Sequence, residues 1–387
     1  QAEDGIRDLV RSRGLGDVYK RQIPFCKMAC HYCNFHFSTL SNYSELVSSI
    51  INEIDANQKK FNYSDISTIY FGGGTPSIID AYLLDSIILK INDKFNISSN
   101  CEITIEANPD DISTEKLIKW KEIGFNRISL GVQSFNNKIL KKLNRIHTSD
   151  ESLSAIKSIQ NIFKNFSVDL MFGTPESDVN SVRKDLEIIK ELSPPHISIY
   201  NMTLEKKTVF YKLLNNNKIV LPEENVVLKQ YDIILNQMRE MGYINYEISN
   251  FARKDYESEH NSNYWRSKEY YGYGPSAHSY DKKRRYWNIK DNKKYVHYLK
   301  NNIKVFEKET LNKREIINDY ILTRIRTIKG IDINKINKKF KKDFLIDKEK
   351  QLELFKKQKM IEDDNLAIKL TDEGKKVADY ITEKIMY

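Results

Sequence analysis

The sequence predicts an α/β protein: a partial parallel (β/α) barrel followed by a small winged-helix-like module. Three observations carry that prediction. Short β-rich runs alternate with amphipathic helical stretches from residue 41 onward. The carboxyl ends of those runs are polar or rich in glycine. Beyond an aromatic loop near residues 260–280 the alternation stops, and helices with a single hairpin take over.

Taken in order, residues 1–22 neither alternate nor repeat at helical spacing. They resemble a translated cloning adapter and are set aside from fold reasoning as non-native. Tyr43, Val47, Ile50 and Ile54 mark one apolar helix stripe, and Leu83, Leu84, Ile87, Ile88 and Ile91 mark a second. Between and after them come ISTIYF (66–71), EITIEA (102–107), RISLGV (127–132), VDLMF (168–172) and HISIYN (196–201). Strands alternating with helices of ordinary length imply parallel pairing through right-handed crossovers. In such folds chemistry gathers at the carboxyl ends of the strands. Here those ends read GGGTP, Glu106-Ala107-Asn108-Pro109, Gln133-Ser134, Gly173-Thr174-Pro175 and Asn201-Met202-Thr203, which one rim would collect. A long helix near 223–241 leads to YINYEISNF, read as one further strand, and then to the loop HNSNYWRSKEYYGYGPSAHSY. From about 305 the chain reads helix, short helix, helix (345–358), a hairpin over MIEDDNLAIKLT and a closing helix. The expected division is a barrel over 23–250, a connecting region over 251–304 and a winged-helix-like unit over 305–387.

Composition narrows the class. With 40% hydrophobic residues and a mean hydropathy of -0.58, the 387-residue chain fits a soluble globular protein and excludes a wholly disordered one. No apolar run approaches the roughly 18 residues of a membrane span. The net charge of +9 is unevenly placed, because residues 282–347 hold 20 Lys/Arg against 8 Asp/Glu. A solvated lysine-rich face is the ordinary meaning of such a stretch, and nucleic acid is not the expected partner. Four cysteines, three of them within residues 26–33, point to a reducing compartment, so a cytoplasmic protein is expected.

The strongest chemical signal is IPFCKMACHYCNF, which spaces Cys26, Cys30 and Cys33 as CxxxCxxC. Structural zinc wants a closed set of four ligands, and no second CxxC or HxxxH follows. Three thiolates suit a 4Fe-4S cluster whose fourth iron stays open. A zinc-like site using His31 or His36 is the alternative. Cys101, at a strand start, reads as a small core residue.

CxxxCxxC with an aromatic before its third cysteine resembles the radical S-adenosylmethionine superfamily. That resemblance implies that the open iron chelates the methionine end of the cofactor, and that one electron from the cluster cleaves the sulfonium to a 5'-deoxyadenosyl radical. Gly72-Gly73-Gly74-Thr75-Pro76 is similar to the superfamily's glycine motif. The match narrows to the branch holding oxygen-independent coproporphyrinogen III oxidase and its heme-chaperone relative, and it covers nearly everything after residue 22. Carried over by position, the cofactor contacts implied are Tyr32, Gly73, Gly74, Thr75, Glu106, Gln133, Arg145, Asp169 and Thr203, with Arg145 expected on the helix after Gln133. Residue type agrees: carboxylates accept from ribose hydroxyls or an ammonium, and Arg faces a carboxylate.

Two features choose within the branch. The oxidase carries a fourth cysteine two residues after the third, and here that place is Phe35. His260-Asn261-Ser262-Asn263-Tyr264-Trp265 resembles the HNxxYW motif tied to heme binding in the chaperone. It implies His260 as the iron or attachment residue, Asn261 within the motif, and Tyr264 and Trp265 as porphyrin stackers. The resemblance therefore implies a heme chaperone that binds a 4Fe-4S cluster, S-adenosylmethionine and heme. It would deliver heme to acceptor hemoproteins, respiratory and membrane-associated ones among them, and would form a homodimer. Lys282, Lys283, Arg284 and Arg285 are expected to pair with the heme propionates. The alternatives are radical decarboxylation of coproporphyrinogen III and, after it, a radical enzyme that modifies RNA. One departure stands out. The family reads YIHIPFC where this chain has Lys20-Arg21-Gln22-Ile23-Pro24-Phe25-Cys26, so two expected side chains are replaced by Lys20 and Gln22, and Tyr19 is one residue out of register.

Overall fold

The structure, a computed structural model, describes residues 23–39, 42–57, 65–364 and 366–387. The departure at Lys20 and Gln22, and the adapter-like reading of 1–22, lie outside the described residues.

Five parallel strands form the body of one sheet: β1 (Ile66–Phe71), β2 (Ile97–Ala107), β3 (Arg127–Gln133), β4 (Phe166–Phe172) and β5 (His196–Asn201). Helix α1 (Tyr43–Asn57) precedes them. The crossovers use α2 (Ala81–Lys94), α3 (Thr114–Glu122), the pair α4 (Asn137–Lys142) and α5 (Ser149–Ile162), and α6 (Val179–Leu192). With β6 (Ile244–Asn245) and β7 (Asn250–Ala252) added at its edge, the sheet runs in the order β1-β2-β3-β4-β5-β7-β6. Sequential parallel neighbours joined by helices make the partial barrel the alternation predicts.

Strand periodicity sorts the two faces. Ile105, Ile128, Leu130, Val168, Leu170, Ile197 and Ile199 are buried in one core with the α2 stripe of Leu83, Leu84, Ile87, Ile88 and Ile91. The alternate residues Glu102, Thr104, Arg127, Ser129, Ser167, His196 and Ser198 are polar and also buried. Buried polar groups need partners, and the serines and His196 find them across the strands, while Thr104 Oγ1 and Arg127 Nε make no hydrogen bond among the described residues. Ser129 and Ser167 donate to the two oxygens of Asp169 at 2.9 and 3.1 Å. Ser167 Oγ lies 2.8 Å from His196 Nδ1, whose Nε2 is 2.8 Å from the Tyr246 hydroxyl.

YINYEISNF is not one strand. It splits into β6 (Ile244–Asn245) and β7 (Asn250–Ala252), which pair antiparallel with each other, β7 also running antiparallel to β5. Side chains hold the turn between them: the Asn245 amide donates to the carbonyls of Glu247 and Asn250, and the Glu247 carboxylate accepts from Ser249 N at 3.1 Å. These are local side-chain-to-backbone bonds, which a period-2 reading does not register.

Helices α7 (Val209–Asn215) and α8 (Glu224–Glu240) lie between β5 and β6; after β7 comes α9 (Glu259–Trp265), then a small antiparallel sheet of β8 (His278–Tyr280), β9 (Arg284–Asn288) and β10 (Phe306–Thr310) in the order β10-β9-β8. The C-terminal unit opens with a helix over Lys313–Ile325. Its hairpin, Ile361–Asp363 with Ala367–Leu370, completes a three-stranded sheet, and Ile317, Ile321, Ile336, Phe344, Phe355 and Ile381 form its core. It meets the barrel at Glu247, which bridges Thr327, and at Ile328 N, which donates to Tyr246 O at 3.0 Å.

Burial raises the Glu247 carboxyl from 4.5 to about 7, despite stabilisation from Asn250, Ser249 and Arg326. The folded protein therefore holds a proton there that the unfolded chain loses between those values, and stability falls as pH rises through that window. Glu247→Gln keeps the accepting oxygen and removes the proton, so its melting temperature is expected to fall less than the parent's between pH 5 and 7.5. Parallel melting profiles for the two proteins would contradict this.

Candidate functional site

The site is built where Ile23-Pro24-Phe25 runs parallel to the glycine turn after β1. Ile23 N donates to Gly72 O (3.1 Å), Gly74 N to Ile23 O (2.8 Å) and Thr75 N to Phe25 O (2.6 Å). A Cβ at Gly74 would stand 2.4 Å from Phe25 O, so this approach requires glycine. The cysteine loop follows and is pinned on both sides. Ser38 N donates to Pro24 O and Cys26 N to Ser38 O, while His31 N donates to Leu143 O and Asn144 Nδ2 to Ala29 O. A turn from Cys33 N to Cys30 O closes it.

Both histidines near the loop are engaged elsewhere, His31 Nδ1 with Lys142 O at 3.0 Å and His36 Nε2 with Asn292 Oδ1 at 2.7 Å. Among the described residues no three His, Cys, Asp or Glu side chains converge as ligands of a single ion. Cys101 is buried in the core. Cys26, Cys30 and Cys33 are all partly exposed on the loop.

Facing the thiols is a rim of strand-end side chains. Thr75 Oγ1 donates to Cys26 Sγ at 3.5 Å, and Arg145 Nη1 to Cys30 Sγ at 3.5 Å. Arg145 Nη2 also donates to Asn108 Oδ1 and Gly131 O, each at 2.6 Å, and Asn108 Nδ2 reaches Thr75 Oγ1 at 3.3 Å. Arg145 stands beyond the end of α4, not on it, after Asn144 in a left-handed turn. Burial opposes its charge, but Tyr32 and Cys30 beside it raise its pKa further. Burial likewise pushes the Cys26 thiol up to about 11. Glu106 accepts from Gly73 N at 3.1 Å and from the Tyr70 hydroxyl at 2.8 Å.

The remaining predicted contacts spread along the same rim. Gln133 ends β3 with φ 70°, at the register shift between β3 and β4. Asp169 lies inside β4, three residues before its end, and Thr203 is exposed just past β5. Tyr32 packs on Ile139, Leu143, Met202 and Phe210, and burial raises its phenol. Two further residues join the rim: Asn108, which the sequence reading places at a strand end but not among the contacts, and Tyr70, which it does not single out. Asn108 follows β2 at the rim, and Tyr70 shares with Thr68 the polar face of β1, so position and period-2 alternation were the available signals.

HNSNYW is a helix, correcting the loop expected there. Its first turn is capped from outside: the Glu102 carboxylate accepts from Glu259 N (3.0 Å) and His260 N (2.9 Å), beside the Ser258 side chain, which receives Asn261 N. The Glu102 part of this cap comes from a strand 157 residues away, whereas Ser258 as N-cap with Glu259 in the first turn is a local signal of the helix start. His260 and Tyr264 share one face of α9, and their side chains meet at 2.9 Å through His260 Nε2. His260 Nδ1 lies 2.9 Å from Thr68 Oγ1, and the ring stacks on Tyr70 at 4.6 Å and 21°. Asn261 and Trp265 are half-buried.

A cavity of about 430 Å³ opens beside β1, with His260, Tyr264, Tyr270, Tyr271, Lys268 and Lys282 among its lining residues. Of the basic run expected at the propionates, Arg284 pairs with Asp281 at 3.0 Å, and Arg285 pairs with Asp319 and Glu309. Lys282, 3.5 Å from Glu269, reaches the cavity, where Lys268, 3.8 Å from Glu259, joins it.

Glu102 both caps α9 and faces the buried Arg127, whose Nε is 3.8 Å away. Glu102→Ala is expected to cost about 3–5 kcal/mol, the usual penalty for leaving a buried charge uncompensated. Denaturant unfolding measures it, and a loss below about 1 kcal/mol would contradict the assigned role.

Comparison with known proteins agrees with this architecture. The Radical SAM superfamily profile matches residues 22–189, and the HemN C-terminal domain profile matches residues 311–377. The heme chaperone HemW of Lactococcus lactis subsp. lactis is 33% identical over 369 residues, spanning 94% of this chain and 96% of that protein. HemW of Bacillus subtilis is 36% identical over 278 residues, 71% of this chain and 73% of its own length. The solved structure of coproporphyrinogen III oxidase (HemN) from Escherichia coli, a radical SAM enzyme, superposes with a TM-score of 0.81 over 98% of this chain and 93% of that one, at 21% identity, a likeness of fold. With Phe35 in place of a fourth cysteine and HNSNYW on α9, the chain belongs to the HemW family of radical SAM proteins.

Proposed function

We propose that this protein handles heme, binding it at α9 and passing it to acceptor hemoproteins. A 4Fe-4S cluster would sit on Cys26, Cys30 and Cys33, with S-adenosylmethionine at the strand-end rim. The observation that carries the reading is the short path between the two motifs: one side chain, Tyr70, touches both His260 and Glu106.

The residues present fit the cluster and its nucleotide. Three thiols lie on a loop pinned at both ends, and Arg145 Nε is a buried donor with no hydrogen bond among the described residues. The turn at Gly74 keeps the backbone free of side chains. When bound, the cluster supplies an electron and an open iron corner. Arg145 presents fixed positive charge toward a carboxylate. Glu106, with one oxygen on Gly73 N and the other on Tyr70, is aimed to accept from an ammonium or a hydroxyl. Asp169, oriented by Ser129 and Ser167, is a second acceptor, and Gln133 and Thr203 add neutral polar groups. Tyr32 closes the loop side of this space.

For heme, His260 supplies the imidazole. Tyr264 would supply flat surface at the cavity, Asn261 and Trp265 belong to the same helix but not to the cavity lining, and Lys268 and Lys282 would place positive charge at the cavity for the propionates. His260 holds Thr68 and Tyr264 with its two ring nitrogens, so coordination releases one of them. No helix among the described residues is long and apolar enough to cross a membrane, so a membrane-bound acceptor would be met from the surface. The division into a barrel over 23–250, a connecting region and a C-terminal unit from 305, and a homodimer, belong to the same proposal.

The test is a parallel assay on anaerobically reconstituted protein. Heme titration is expected to saturate, while coproporphyrinogen III is not turned over. Conversion of the porphyrinogen without stable heme binding would reverse the reading toward the oxidase. His260→Ala is expected to weaken heme binding by about 10–100-fold, the scale of losing groups that tune a metal site, with iron and sulfide content unchanged. Cys30→Ala is expected to lose the iron and sulfide while the heme titration survives. Heme affinity unaltered in His260→Ala would remove α9 from the site.

A further inference from the structure

Tyr70 touches both motifs. Its hydroxyl donates to Glu106 Oε1 at 2.8 Å, and the other oxygen of that carboxylate accepts Gly73 N at 3.1 Å. Its ring carries the His260 imidazole, stacked at 4.6 Å and 21°. The residue is 6% exposed, so the contacts are fixed by packing. Gly72 makes the arrangement possible: a Cβ there would stand 2.7 Å from Tyr70 Cε1 and 2.9 Å from Glu106 Cδ. The first glycine of the GGG turn thus makes room for the Tyr70–Glu106 contact, while Gly74 makes room for the Ile23–Phe25 segment.

We propose that Tyr70 couples the two sites so that heme at His260 and nucleotide at the Glu106 rim oppose each other. The inference rests on the heme-handling reading and adds a regulation of it. Its sign follows from the geometry. His260 holds Thr68 Oγ1 and Tyr264 Oη, each at 2.9 Å, through its two ring nitrogens while it stacks on Tyr70. Coordinating iron takes one nitrogen from its present partner and re-aims the ring, which disturbs the stack that holds Tyr70 over Glu106. A nucleotide that needs Glu106 as oriented now favours the arrangement in which His260 stays docked. Binding the nucleotide then loosens heme, a means of release toward an acceptor. By linkage, heme must loosen the nucleotide by the same factor.

The experiment uses full-length protein with its cluster reconstituted anaerobically and kept oxidised, so that S-adenosylmethionine is bound without being cleaved. Heme affinity is measured with and without saturating S-adenosylmethionine, and S-adenosylmethionine affinity with and without heme. The parent is expected to show about tenfold weakening in both directions, within the common range of about 5–150-fold. In Tyr70→Phe, which keeps the ring but loses the hydroxyl, the factor is expected to fall below about twofold. Gly72→Ala, which disturbs the same contact from the other side, is expected to reduce it as well, and melting temperatures verify that both variants fold. Equal heme affinity with and without S-adenosylmethionine in the parent, a nucleotide that tightens heme, or a coupling factor unchanged in Tyr70→Phe would each overturn the proposal. Absence of heme binding altogether would instead overturn the function on which it rests, and the single-ligand titrations distinguish the two failures.

Discussion

The short parallel pairing of Ile23-Pro24-Phe25 with Gly72–Thr75 is the contact on which the rest of the site depends. It sets the direction in which the chain enters the cysteine loop, and it exists only because Gly74 lacks a Cβ. Once that backbone is placed, Thr75 comes within reach of Cys26, and Asn108 ties Thr75 to Arg145, which touches Cys30. The loop is therefore seated on the strand ends by backbone geometry, before any cluster contributes. A reactive loop built on rigid elements gains its positional accuracy from them.

The inner face of the sheet is the second determinant. A core of apolar residues alone would bind nothing polar, whereas this face carries Glu102, Arg127, Ser129, Ser167, Asp169 and His196 in adjacent registers. Burying such groups is tolerable only when they satisfy one another. Glu102 shows how that requirement shapes function: by accepting two backbone N–H groups it creates the helix that carries His260, and Arg127 beneath it compensates its charge. The HNSNYW helix is thus docked on the barrel by the barrel's own buried chemistry, and Tyr70 is a point where the two meet.

Much of this was legible in the sequence. The apolar stripes of α1 and α2, the five parallel strands, the C-terminal hairpin and the glycine-rich strand end follow from periodicity and turn chemistry, which are local. The cysteine spacing, likewise local, announced its chemistry. What stayed hidden depends on side-chain bonds that periodicity does not register. HNSNYW reads as a loop although Ser258 caps it locally, because the carboxylate that completes the cap is the distant Glu102, and YINYEISNF reads as one strand because period-2 alternation passes over the turn stitched by Asn245 and Glu247. Arg284 and Arg285 read as ligands for an acidic molecule until Asp281, Asp319 and Glu309 are seen beside them. Tyr70 lies between motifs, and a motif reading passes over the residue that joins them.

The central claim is that three thiols on a loop seated against Thr75 and Arg145 hold an iron–sulfur cube with one corner facing the strand-end rim. Electron paramagnetic resonance of the reconstituted, dithionite-reduced protein tests it most directly. The account predicts a 4Fe-4S signal whose g values shift when S-adenosylmethionine is added, because the nucleotide reaches the open corner. A cluster signal indifferent to the nucleotide, or a protein that takes up zinc and no cluster, would contradict it.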